Sequence, residues 1–79
     1  MKELNWMKSV SGSEVVQALA RIGFGFVQQK GSHIKLRKVV AESKRTVIVP
    51  LHDDLPEGTL HSISRQAGLP FKEFQKLFE

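Results

Sequence analysis

The chain has 79 residues, 41% hydrophobic and 25% charged, the composition of one small globular domain with a single thin core. It has no cysteine, which excludes disulfides, thiol nucleophiles and thiolate zinc sites together. No apolar run approaches the roughly 20 residues that span a bilayer and no signal-peptide stretch opens the chain, so a single cytoplasmic domain over residues 1–79, away from the membrane, is expected. The formal net charge of +4 permits a polyanionic partner. Its location is more telling than its size. Between Gln28 and Pro50 stand Lys30, Lys35, Arg37, Lys38, Lys44 and Arg45 against Glu42 alone, a net +5, while the rest of the chain nets −1.

Residues 1–7, with Trp6 and a second methionine at Met7, can be read as an N-terminal extension. Ser11-Gly12-Ser13-Glu14 has the pattern of a capping box, with a serine oxygen accepting an N3 amide while Glu14 reaches back. Val15, Val16, Leu19 and Ile22 recur at helical spacing, and Gly23 stands where a left-handed residue ends a helix, which predicts a helix over about 12–22. A strand follows over Phe24–Gln29 with Phe24 and Phe26 on one face, and Lys30-Gly31-Ser32 signals a turn. His33-Ile34-Lys35-Leu36-Arg37 alternates strictly, placing His33, Lys35 and Arg37 in one row and Ile34 and Leu36 in the other. A loop is expected over Ala41–Lys44, then a β-branched third strand, Thr46–Val49, ended by Pro50.

Leu51–Glu57 forms the next loop, with His52 placed to make a structural hydrogen bond. A helix over Thr59–Ala67 puts Leu60, Ile63 and Ala67 on one side, and Gly68 closes it. Pro70 then opens a last short helix whose Phe71, Phe74 and Phe78 form a core-facing stripe. The fold class is therefore α+β, in the order αβββα with a short extra helix: three antiparallel strands, helices on one face and the other face free.

Function belongs on that free face. A strand histidine is ordinarily just an exposed polar side chain. Set among cations beside a phosphodiester, however, an imidazole can take the proton of a ribose 2′-hydroxyl while Lys or Arg stabilises charge on the phosphorane-like transition state. The reaction needs neither metal nor cofactor, and DNA lacks the hydroxyl it uses. Histidine's ordinary pKa, about 6.5, suits proton transfer near neutrality. His52 and His61 have no comparable setting; His61 and Arg65 share a helix face that meets a phosphate or only water.

Several motifs occur in order: Ser11-Gly12, Gly23-Phe24, Lys30-Gly31-Ser32-His33, Val49-Pro50-Leu51-His52, and Gly58-Thr59-Leu60 running to Arg65-Gln66-Ala67-Gly68-Leu69. From about Lys8 to Phe78 the chain resembles the HicA (YcfA-like) family of toxin ribonucleases. The resemblance implies a fold like that of double-stranded-RNA-binding domains, cleavage of mRNA that arrests growth, and neutralisation by a HicB-type antitoxin protein. It also implies that His33, in the Gly-Ser-His motif, is the catalytic histidine. Gly31 would permit the tight turn that presents the ring, and Ser32 would orient it or a phosphate. Lys30, Lys35 and Arg37 join this RNA-binding set on charge and strand parity alone. The chain departs from the family pattern in a longer segment, Lys38–Lys44, and in having no aromatic on its second strand. The rival readings are a non-catalytic RNA-binding module of the same fold and a protein-interaction domain. Ordinary duplex-binding domains carry lysines at the start of the last helix, where this chain has Glu57-Gly58-Thr59-Leu60.

Overall fold

The computed structural model describes residues 9–79; the N-terminal extension with Trp6 and Met7 lies outside the described residues. Helix α1 spans Gly12–Arg21. Its capping box is complete: the Glu14 amide donates to Ser11 Oγ at 3.1 Å and the Ser11 amide donates to Glu14 Oε1 at 2.8 Å. Val15, Ala18 and Leu19 are buried along one side, and Gly23, at φ 105°, turns the chain away from the helix end.

Strands β1 (Gly25–Lys30), β2 (His33–Val40) and β3 (Ser43–Pro50) form an antiparallel sheet in the order β1-β2-β3. Helices α2 (Glu57–Ala67) and α3 (Phe71–Lys76) complete the αβββα order with its extra helix. Leu36, Val47 and Val49 point from the sheet into one cluster with Val15 and Leu19 of α1, Leu60 and Ile63 of α2, and Phe74 of α3. The partner positions Leu36↔Val47 and Ile34↔Val49 confirm that these side chains share a face. The opposite parity, which includes His33, Lys35 and Arg37, looks away from every helix. We refer to that side as the open face.

Several sequence expectations need correction, among them the start of α2, which begins at Glu57 after the N-cap Pro56 and not at Thr59, so that Glu57 leaves the predicted loop. The predicted loop Ala41–Lys44 is a two-residue turn at Ala41 and Glu42, because the β-branched Val39 and Val40 carry β2 onward and pair it with Lys44 and Ser43. The segment Lys38–Lys44 is thus a continuation of the ribbon. The third strand accordingly starts at Ser43, and β1 runs one residue later than predicted at each end. Finally, Phe24 and Phe26 have the shared parity expected of them but differ in burial. Phe24 is buried, whereas Phe26 is 64% exposed, because α1 and α2 pack against β3 and leave that stretch of β1 uncovered.

Candidate functional site

His33 is the first residue of β2, directly after the turn Gly31–Ser32. Gly31 takes φ 56°, the positive value that two-residue hairpin turns require and that only glycine adopts without strain. Three hydrogen bonds fix this end of the sheet. Leu51 N–H donates to the Ser32 carbonyl at 2.6 Å, Gln29 Nε2 donates to the Gly31 carbonyl at 2.9 Å, and Gly12 N–H donates to the His52 carbonyl at 2.9 Å. Gly12 is buried against the same loop, and a Cβ there would overlap the Pro50 carbonyl oxygen. The Ser-Gly pair before α1 therefore serves twice: Ser11 caps the helix, and Gly12 lets the helix start press onto the strand end behind His33.

Strand β1 carries a bulge between Phe26 and Gln28. Up to Phe26, opposite Leu36, its side chains follow the helix-facing parity; beyond Val27 the register shifts so that Gln28 pairs with Lys35 and Lys30 with His33. Strict alternation from Phe24 would have sent Gln28 and Lys30 to the helix side. The bulge turns them to the open face. Across the sheet this builds two neighbouring rows, Lys30–His33–Pro50 and Gln28–Lys35–Ile48. Strands stand about 4.8 Å apart and alternate residues about 6.7 Å apart along a strand, so the rows lie within reach of one dinucleotide. Gln28, Lys30, His33, Lys35 and Ile48, with Ile34 between the two β2 residues, together line a groove of about 270 Å³.

Of the predicted site residues, His33, Lys30 and Lys35 meet in this groove. Gly31 and Ser32 form the turn above it. Arg37 is on the same face one row further along, with its Nε donating to Thr46 Oγ1 at 3.4 Å, and does not line the groove. The basic segment is itself divided by strand parity. Lys30, Lys35, Arg37 and Lys44 share the open face, whereas Lys38 and Arg45, partners across β2 and β3, belong to the helix side. There Lys38 Nζ lies 5.8 Å from the centre of the Phe24 ring, and the Arg45 guanidinium lies against Gly68 at the C-terminus of α2, where positive charge is favourable.

The other histidines are accounted for elsewhere. His61 stacks on Phe71 with ring centres 3.6 Å apart and sits 3.4 Å from Glu57, which ties α2 to α3. The hydrogen bond expected of His52 is made by its backbone carbonyl. Among the described residues no group of three His, Cys, Asp or Glu side chains could hold a metal ion, and no helix is long and apolar enough to cross a membrane. Gln28, Ile34 and Ile48 are the groove residues outside the predicted site set, Ile34 having been placed in the opposite row of β2. Ile48 was legible from its place in the β-branched strand; Gln28 was hidden because the bulge breaks the alternation by which it would have been found.

A protein-family model described as the HicA toxin of bacterial toxin-antitoxin matches residues 12–69, a stretch that includes the whole groove and both of its flanking loops. No curated protein matches the chain.

Proposed function

We propose that this chain, which belongs to the HicA toxin family of bacterial toxin–antitoxin systems, arrests growth as an endoribonuclease that cuts mRNA. The observation that carries this reading is the exposed ring of His33 in one groove with Lys30 and Lys35. Acting as general base, His33 takes the proton of a ribose 2′-hydroxyl; the 2′-oxygen attacks the adjacent phosphorus, the bond to the 5′-oxygen breaks, and that oxygen leaves with a proton taken from solvent water. The products are a 2′,3′-cyclic phosphate and a free 5′-hydroxyl. Lys30 and Lys35 hold the phosphate and offset the charge that builds on its oxygens. No metal enters these steps.

The partner is an antitoxin, as the family's pairing requires. We assign it as a HicB-type protein that presents acidic groups to the open face and covers His33, adding stability by binding the folded state. A non-catalytic duplex-binding module fits less well. The first turn of α2 carries Glu57, held beside His61, where such a module needs cations.

The test is incubation of purified protein with RNA in EDTA. Wild type is expected to shorten the RNA and His33→Ala to bind it uncut. Cleavage that survives in the variant overturns the mechanism, and a mere gel shift by wild type favours the binding module.

A further inference from the structure

We infer that Gln28, Lys35 and Ile48 form a seat for one nucleobase of single-stranded RNA beside His33, and that the seat prefers adenine. The inference rests on the nuclease reading for the scissile phosphate lying at His33. Its own support is the second row of the groove. Ile48 is 38% exposed, an apolar side chain on the open face and one that lines the groove, whereas the exposed Val39 of that face lies two rows beyond Lys35 towards the second turn. Beside it, directly across the ladder, runs the methylene stem of Lys35. Together they offer apolar surface to the face of a base, on two strands that have no aromatic for stacking.

Gln28 completes the seat at its edge. Of the two adjacent glutamines, Gln29 spends its amide on the Gly31 carbonyl, whereas Gln28 makes no side-chain hydrogen bond to the described residues and lines the groove. A carboxamide offers one donor and one acceptor side by side, the pair that matches the N6 amino group and N7 of adenine. In a single strand that edge is unencumbered. The bulge at Val27 therefore has a functional consequence, since it delivers a base-reading amide and a phosphate-holding lysine to the same face as the histidine.

The test uses the full chain and two uridine octaribonucleotides, one with a single central adenosine and one without, each also made with 2′-O-methyl riboses that cannot be cut. Wild type is expected to bind the methylated adenosine oligonucleotide about tenfold more tightly than its all-uridine counterpart. Gln28→Ala and Gln28→Glu, both changes at an exposed position, are each expected to reduce that ratio to about twofold or less, with circular dichroism unchanged. Absence of a base preference in wild type, or a preference that survives both variants, overturns the seat. Cleavage of the unmodified oligonucleotides is read separately. A Gln28-dependent preference without cleavage sustains the seat and sinks the nuclease; cleavage without that dependence does the reverse.

Discussion

The sheet has two hairpin turns, and they differ in almost everything except length. Gly31–Ser32 and Ala41–Glu42 are both two-residue connections whose first residue has positive φ, at 56° and 55°. The first is bonded to its surroundings through the Ser32 and Gly31 carbonyls and is backed by the Gly12 contact. The second ends a ribbon whose Val39 and Val40 are 64% and 48% exposed. Cations occur at both ends, Lys30 and Lys35 near the first and Lys44 and Arg45 near the second. Positive charge therefore does not mark the site. What separates the ends is fixation: the proton transfer proposed for His33 needs a held position, and the first turn has the hydrogen bonds and the Gly12 contact that supply one.

The sharpest way to break the comparison is to change the residue that follows each turn. His33→Ala is expected to slow RNA cleavage by about 10²- to 10⁴-fold, the usual contribution of general acid–base catalysis. Ser43→Ala, at the matching position after the second turn, should alter the rate by less than about twofold. Single-turnover assays with protein in excess decide between them, and equal losses would show that the ends are not functionally distinct.

Next comes the anchor. Gly12→Ala drives a methyl group into the Pro50 carbonyl, and neither backbone can yield without disturbing the Gly12–His52 hydrogen bond. Its cost should be about 2–3 kcal/mol, read from the urea midpoint, with cleavage impaired even where the protein remains folded. A neutral result would mean that the first turn is not held by α1.

How far this was legible in the sequence follows from the same elements. The capping box, the strict alternation in β2 and the stop at Pro50 are local signals, and each element they predicted is present. His33 and Lys35 share a face because nothing interrupts β2. The reach of the second hairpin was missed because a turn at Ala41–Glu42 lacks the Asn or Gly that usually announces one. The place of Gln28 in the groove was missed for a deeper reason. A bulge is a property of the pairing between two strands, and no feature of Phe26-Val27-Gln28 by itself declares it. Likewise, His61 could be placed on a helix face, but its partner Phe71 comes from a different helix.

Exchanging the turn residues sharpens the comparison further at lower cost. Gly31 has open space around its missing Cβ, so only its φ resists substitution. Gly31→Val should destabilise by about 2 kcal/mol, since a β-branched residue is strained at positive φ. Ala41→Gly relieves similar strain but adds freedom to the unfolded chain, and the two effects should cancel to within about 0.5 kcal/mol. Thermal melts of the two variants measure this directly. A large stabilisation from Ala41→Gly would mean that the second turn is as strictly held as the first.

The smallest expected effect separates charge that attracts RNA from charge that assists its cleavage. Lys35 and Lys44 lie on the same open face, the first in the groove with His33 and the second towards the exposed turn, opposite Val39. Each phosphate contact on a single strand contributes about 0.7 to the slope of log affinity against log salt, so Lys35→Ala and Lys44→Ala should each lower that slope by about this amount. The two variants should then part company at saturating protein, where affinity no longer limits the rate. Lys44→Ala should cleave as wild type, because its charge acts only on encounter and binding. Lys35→Ala should remain slower, because a cation one row from the imidazole acts on the charge that develops during phosphoryl transfer. Equal saturated rates would assign Lys35 to binding alone and leave Lys30 as the cation that serves the reaction.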